Sequence, residues 1–185
     1  MADALERANA LLDRYTALML SELPADAEIV DAHTHLGLDI DGMVGDFDEL
    51  EAVQSTVGIT RSFVFCLDEP DRHPGFRAAN DRTLAAAARS GGRLVPFVRL
   101  DLSEAPLEEA VRCLDLGARG IKLHPRAQGF LPDDPRLEPV FELAADRRVP
   151  ILIHGGRGLP PIADDLARLV ERYGPTLIIA HAGIV

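Results

Sequence analysis

The sequence predicts an α/β fold built on a parallel sheet, and three observations support this class. Six short β-rich runs recur along the 185 residues, helical segments separate them, and several of the runs are almost continuously apolar. Parallel strands that are covered by helices on both faces have this composition. Alternating β and α units also imply right-handed crossovers between neighbouring strands.

The six predicted strands begin about 30 residues apart, a spacing that accommodates one strand and one helix per unit. They cover residues 28–33, 61–67, 93–100, 120–124, 149–154 and 176–181.

The segments outside the strands carry helix start and stop signals. Asp46 can cap a helix N-terminus ahead of early acidic residues, whereas Gly91-Gly92 and Gly174-Pro175 end two later helices. Charged residues interrupt the apolar positions of the first twenty residues, which is typical of a helix and not of a secretory signal. We expect helices at 2–22, after Asp46, and at 77–89, 103–116, 137–147 and 161–173.

The unit spacing favours a (β/α)₈ barrel, although a six-stranded doubly wound sheet stays open as an alternative. Eight units with the N-terminal helix would need about 60 residues more than the chain has, which approaches the ~250 residues of a typical barrel. An open sheet usually carries a Gly-rich phosphate turn after its first strand, whereas this turn reads His33-Thr34-His35-Leu36-Gly37. We therefore expect one barrel domain over residues 1–185, with only about six βα units present.

Composition excludes several classes of protein. The formal net charge is −11, with 30 Asp and Glu against 19 Lys and Arg, so a binder of nucleic-acid backbone is disfavoured. No apolar run reaches the ~18 residues that a membrane helix needs. Cys66 and Cys113 show no metal or disulfide spacing, which favours a reducing compartment. We expect a cytoplasmic protein with a small-molecule substrate that self-associates through its open apolar sheet edges.

Histidines concentrate at the carboxyl ends of the predicted strands. Four of the six histidines lie there, namely His33, His124, His154 and His181. Active sites of parallel α/β folds are built at that edge. Each of these histidines alone is more readily explained as structural, but together they indicate a site.

The pair His33 and His35 is the sharpest of these features. Residues i and i+2 of a strand share a face, so both imidazoles point to one place. Neutral imidazoles suit Zn²⁺ and its first-row neighbours. Asp31 shares that face, and it either supports a ligand imidazole or bonds to backbone.

Four motifs resemble the amidohydrolase superfamily, in the amidohydrolase-related branch that includes aminocarboxymuconate semialdehyde decarboxylase. They occur in the order Asp31-Ala32-His33-Thr34-His35-Leu36-Gly37, Gly120-Ile121-Lys122-Leu123-His124-Pro125, Leu152-Ile153-His154-Gly155-Gly156 and Ile179-Ala180-His181-Ala182-Gly183. The resemblance implies a (β/α)₈ barrel with a divalent metal, usually zinc, and covers nearly the whole chain.

The resemblance also implies roles for individual histidines. His33, His35 and His154 match the metal ligands, and His181 matches a histidine that acts as acid or base in some members and binds a second metal in others. The family further uses an Asp after its eighth strand, and these 185 residues contain no eighth strand. We therefore expect the chain to be C-terminally truncated.

Three further residues are candidates for substrate binding. Lys122 matches a lysine that some superfamily members carry in carboxylated, metal-bridging form, although an ion pair or a substrate contact is favoured here. His124 lies two residues later on the same face. Arg99 ends its strand and could bind a carboxylate with two hydrogen bonds.

The function expected from these features is metal-dependent hydrolysis of a small carboxylated or cyclic substrate, in which His181 handles the proton. A decarboxylase of the same branch is an alternative. A phosphoesterase or nuclease is another, because other metal-dependent barrels also begin with two histidines in this spacing. An inactive barrel fragment is a third.

Overall fold

The computed structural model describes residues 2–156 and 163–183, which form a seven-stranded sheet with helices along its outer face. The strands are β1 (Val30–Leu38), β2 (Val44–Gly45), β3 (Arg61–Cys66), β4 (Leu94–Arg99), β5 (Gly120–Leu123), β6 (Ile151–Ile153) and β7 (Leu177–Ile179). The helices are α1 (Ala2–Glu22), α2 (Phe47–Val57), α3 (Arg77–Arg89), α4 (Pro106–Asp115), α5 (Pro125–Gln128), α6 (Glu138–Arg147) and α7 (Ala163–Tyr173), and 3₁₀ turns occupy Pro135–Leu137 and Ala180–Gly183.

The strand order is that of a barrel. The sheet runs β2-β1-β3-β4-β5-β6-β7, and all neighbours except β1 and β2 are parallel. Each new parallel strand joins the same growing edge, whereas a doubly wound sheet reverses direction partway. The expected partial (β/α) barrel is therefore confirmed, and the doubly wound alternative is wrong.

The first strand lies later than the predicted 28–33. It extends to Leu38 because residues 37 and 38 pair with β2, an antiparallel strand that the sequence analysis missed. At Gly45 a Cβ atom would lie 2.5 Å from the backbone oxygen of His35, so this close pairing requires glycine. The hairpin that results folds over the carboxyl end of the sheet.

The last strand is shorter than the predicted 176–181. It ends at Ile179, because the backbone of His181 and Ala182 is left-handed, with φ of 57° and 53°. The last predicted helix, 161–173, is described from Ala163 onward, and its first two residues lie outside the described residues. The N-terminal helix has the predicted bounds, and its side chains from residue 3 to 22 are exposed. None of the helices that the structure describes is both long and apolar enough to cross a membrane.

Alternate residues of the strands pack into different apolar clusters on the two faces of the sheet. On the helix side, Ile151 and Ile153 of β6 pack with Phe141 of α6 in the largest cluster. On the opposite side, Leu152 packs with Phe65 and Phe97. The second cluster is the floor of the barrel interior.

The inner face becomes polar at the carboxyl end of each central strand. Because side chains two residues apart share a face, Phe97 is followed by Arg99, Lys122 by His124, and Leu152 by His154. The apolar floor therefore lies directly beneath a layer of cationic and imidazole side chains.

Candidate active site

A pocket of about 550 Å³ opens at the carboxyl ends of the parallel strands. Every residue that the sequence analysis proposed as a metal ligand, a proton carrier or a substrate contact lines it, namely His33, His35, Arg99, Lys122, His124, His154 and His181. Distant parts of the chain thus converge as a barrel mouth requires.

Five imidazoles form a continuous chain of ring contacts across this pocket. The ring centroid of His33 lies 5.1 Å from that of His35 and 4.8 Å from that of His181. His154 continues the chain, 4.9 Å from His181 and stacked on His124 at 3.9 Å. The arrangement connects the first and last parallel strands through their histidines.

A backbone irregularity in β1 includes His33 and precedes His35. The register with β3 shifts between Asp31 and Thr34, so β1 advances by one residue more than its partner. The carboxylate of Asp31 accepts a hydrogen bond from the backbone N–H of His33 at 3.0 Å. Of the two roles considered for Asp31, the structure therefore shows the hydrogen bond to backbone.

Glycine next to His154 allows the last two strands to approach. A Cβ atom on Gly155 would lie 2.7 Å from Cγ2 of Ile179 and 3.1 Å from the backbone oxygen of Ala180. Any larger residue would push apart the turns that carry His154 and His181. The ring contact between these two histidines depends on this glycine.

Burial keeps four of the pocket imidazoles neutral, namely His33, His35, His124 and His154. Desolvation, followed by the positive charge of Lys122, lowers the pKa of His33 to about 4 and that of His35 to about 3. The same two causes lower the pKa of His154 to about 4. Neutral imidazole is the form that binds a metal ion.

The residues present fit a metal ion in their chemistry. Nδ1 of His35 is buried and has no hydrogen-bond partner, an arrangement that a bound ion would satisfy. However, no three of the pocket histidines described by the structure have donor atoms that all lie within 4.8 Å of one another. Among the described residues, His73, Asp101 and Glu104 are the one group that meets this distance. The pocket imidazoles must therefore rotate before three of them can share one ion.

His124 has a local structural role besides lining the pocket. Its Nδ1 accepts a hydrogen bond from the backbone N–H of Ala127 at 3.2 Å and caps the single-turn helix α5. Burial, and then the neighbouring His154, lowers its pKa to about 3. Only Nε2 remains for a ligand, so the structure supports a secondary role at the site.

Lys122 is a buried cation without an anion. Its Nζ has no hydrogen-bond partner and lies 4.4 Å from the ring centroid of Phe65, in a residue that is 1% exposed. Burial, followed by the charge of Arg99, lowers its pKa to about 7. The expected structural ion pair of Lys122 is thus absent among the described residues, which leaves substrate contact as the favoured role.

Arg99 is buried and only partly satisfied. One nitrogen donates to the backbone oxygen of Cys66 at 3.2 Å, a second lies 3.8 Å from Asp68, and Nε has no partner. Its guanidinium also lies 4.6 Å from the ring centroid of Phe76. A planar cation that is held in place with unused donors is suited to an anionic group.

The sequence analysis missed the loop between β1 and β2 as part of this site. Asp39, Ile40, Asp41 and Met43 line the pocket, and the loop is fastened to Asp68 by two hydrogen bonds. The Asp and Gly residues of 39–42 are a turn signal that could have located this loop. Asp68 itself lies two residues after the end of β3, as His181 lies two residues after the end of β7.

Comparison with known proteins identifies the family and the fold. A family model described as amidohydrolase matches residues 30–185. A search of curated proteins gives no match. Thirty-five chains of solved structures match.

Three of these structures show the same fold at low sequence identity. IDCase from Metarhizium anisopliae has a TM-score of 0.64 at 18% identity, covering 86% of this chain and 66% of its own. 2,6-Dihydroxybenzoate decarboxylase from Rhizobium has a TM-score of 0.67 at 20% identity, and the match covers 84% of this chain and 67% of the decarboxylase. The third is a probable 2-pyrone-4,6-dicarboxylic acid hydrolase from Acinetobacter baumannii with citric acid bound. It has a TM-score of 0.64 at 15% identity, and the match covers 85% of this chain and 59% of the hydrolase. The chain thus spans about two thirds or less of the length of these proteins.

Proposed function

Because this chain belongs to the amidohydrolase family, we propose that it carries the metal and substrate site of a metal-dependent hydrolase acting on a small carboxylated or cyclic molecule. One observation carries the proposal: neutral imidazoles and two buried, incompletely paired cations line a single pocket at the carboxyl ends of the strands.

In this proposal His33, His35 and His154 hold a divalent metal, with zinc the candidate that best suits three imidazoles. When bound, such an ion acts as a Lewis acid and activates water near neutral pH. Low imidazole pKa values mean that protons compete weakly for these nitrogens, so the site can stay loaded in mildly acidic solution.

His181 is assigned the proton transfer. Its ring contacts those of His33 and His154, while its residue is exposed at the pocket mouth. An imidazole that reaches both the metal ligands and solvent can take a proton from the reacting group and pass it to water.

Arg99 and Lys122 are assigned to a carboxylate of the substrate. Both side chains are almost fully buried and line the pocket. Asp39, Asp41 and Asp68 also line it, but among the described residues only Asp68 lies within 4.0 Å of either cation, at 3.8 Å from Arg99. Neither buried cation therefore has a close carboxylate partner, and an anionic ligand could supply one. Two of the structural neighbours are named for reactions on carboxylic acids, which agrees with this assignment.

A decarboxylase is the second candidate. Lys122, with its pKa near 7, is available in both protonation states and lies beside Arg99, so the pair could hold a carboxylate that leaves as carbon dioxide. The two buried free cysteines favour the cytoplasm as the compartment for either enzyme.

A panel of hydroxybenzoates and lactone dicarboxylates tests the proposal, with ring opening and carbon dioxide release measured separately. Binding of the acids is followed by calorimetry on the full chain. We expect Arg99→Met to weaken binding about 10-fold or more, because a charge-assisted hydrogen bond contributes roughly 1.5–3 kcal/mol.

The matched control is Arg119→Met, since Arg119 is exposed and precedes β5 at the opposite edge of the sheet. Equal affinities of wild type and Arg99→Met would remove Arg99 from the site. An absence of binding and turnover across the whole panel would contradict the proposed substrate class.

A further inference from the structure

Outside the pocket, two neighbouring loops bring together one imidazole and two carboxylates. His73 lies in the loop that follows β3, whereas Asp101 and Glu104 lie in the loop that follows β4. One potential ligand atom from each lies within 4.8 Å of the other two. None of the three lines the pocket described above.

Backbone groups hold both carboxylates in place. Glu104 accepts a hydrogen bond of 2.6 Å from the backbone N–H of Gly75. Asp101 accepts hydrogen bonds from the backbone N–H and the hydroxyl of Ser103, at 2.9 and 2.6 Å. The contact to Gly75, followed by His73, holds the pKa of Glu104 below its usual value, so this carboxylate is charged at neutral pH.

These carboxylates lack the arginine partners that others in the same region have. Glu69, Asp71 and Glu109 each have an arginine within 3 Å. Among the residues that the structure describes, no Lys or Arg lies within 4.0 Å of Asp101 or Glu104, and only the ring of His73 approaches the latter. Two negative charges therefore meet without a fixed cation.

The contact between the ring and Glu104 has the spacing of two ligands on one ion. Nδ1 of His73 lies 2.9 and 3.0 Å from the two oxygens of Glu104. Donors about 2.0–2.2 Å from a tetrahedral zinc ion are separated by roughly 3.3 Å. With the ring proton on Nε2, Nδ1 can coordinate where it now hydrogen-bonds.

We propose that His73, Asp101 and Glu104 form a second divalent-cation site, which takes Zn²⁺ with water in the remaining positions. A mixed nitrogen and oxygen donor set favours Zn²⁺ over Mg²⁺ and Ca²⁺, which prefer oxygen alone. The ion fastens the loop after β3 to the loop after β4. The first of these loops contains Asp68 and the second follows Arg99, and both residues line the pocket, so binding here steadies two of its walls.

A zinc titration of the full chain tests the site. The proposed metal site of the pocket is first removed by the double substitution His33→Ala and His35→Ala. In competition with a chromophoric chelator, this double variant is expected to bind one equivalent of Zn²⁺. Adding His73→Ala or Glu104→Gln is expected to weaken that binding at least 10-fold. Glu104→Gln keeps an oxygen that accepts from Gly75, so the loop can fold without the charge.

The control is Glu108→Gln, which removes the same charge from an exposed position in the first turn of α4. Its zinc affinity is expected to equal that of the double variant. Circular dichroism establishes that each variant is folded. Absence of zinc binding in the double variant, or equal affinity after His73→Ala and Glu104→Gln, would overturn the proposal.

Discussion

His181 combines an exposed imidazole with a backbone conformation that L-residues avoid. Its φ of 57° is left-handed, and the following residue, Ala182, shares this conformation. Left-handed positions cost non-glycine residues on the order of 1–2 kcal/mol each. Backbone strain of this kind is often found at functional sites, where the surrounding structure holds a side chain in a required position. Here the turn brings the ring to within contact of His33 and His154.

Replacing His181 by Asn separates proton transfer from metal binding. Asn can occupy a left-handed position, so the turn should survive the change. We expect turnover of an acid identified from the panel to fall about 10²–10⁴-fold, the usual contribution of a general acid or base. Zinc content, measured by elemental analysis, should stay at the wild-type value. A parallel loss of zinc would instead make His181 a ligand.

At the scale of elements, helix α3 fixes the end of strand β4. Asn80 of α3 is buried, and its amide donates to the backbone oxygen of Arg99 and accepts from its backbone N–H, both at 2.9 Å. The same amide donates to Glu109 of α4 at 2.9 Å. One side chain thus connects two helices to the strand end that carries a pocket cation.

Asn80→Ala is expected to destabilise the chain by about 2–4 kcal/mol, because buried backbone and carboxylate groups lose their partners at roughly 1–3 kcal/mol each. Urea denaturation measures the change. Asn9→Ala is the matched control, since Asn9 is exposed on α1 and should change stability by less than about 0.5 kcal/mol. A loss below 1 kcal/mol for Asn80→Ala would contradict the bridging role.

The order of elements and the placement of the site were predictable from local sequence, because strand periodicity and glycine-bounded helices are short-range signals. His154 was found because it lies at a strand end, and Lys122 because its motif resembles that of the amidohydrolase superfamily. The role of Asn80 was not predictable, because it depends on a contact with Arg99, nineteen residues away. The turn at His181 was missed for a related reason: an apolar run does not reveal where the backbone becomes left-handed.

For the whole molecule, the buried imidazoles make stability depend on pH. The pKa values of His33 and His154 are lowered to about 4, and those of His35 and His124 to about 3, whereas an unfolded histidine has a pKa near 6.5. Below pH 6.5 the unfolded chain therefore takes up protons that the folded chain excludes, so stability falls as pH decreases. Glu69 is one group with the opposite effect: burial raises its pKa, so its contribution to stability falls as pH increases.

We expect the melting temperature of the metal-free chain to fall steadily as the pH is lowered from 7 to 5. Above pH 7 the imidazoles contribute little, but Lys122, whose pKa burial lowers to about 7, should raise the melting temperature further with pH. His35→Phe removes one buried imidazole and should make the slope shallower. Differential scanning calorimetry at constant ionic strength gives both values. An unchanged melting temperature from pH 7 to pH 5 would contradict the neutral, buried state of the pocket histidines.

The central claim is that His33, His35 and His154 hold a metal ion, and zinc stoichiometry tests it most directly. The full chain and its single His→Ala variants are stripped with chelator, reloaded with Zn²⁺, dialysed and analysed for metal. We expect each of the three variants to lose one equivalent relative to wild type. His124→Ala should lose none, because the Nδ1 of that residue caps α5. Equal zinc in wild type and all three variants, or the same loss from His124→Ala, would contradict the account.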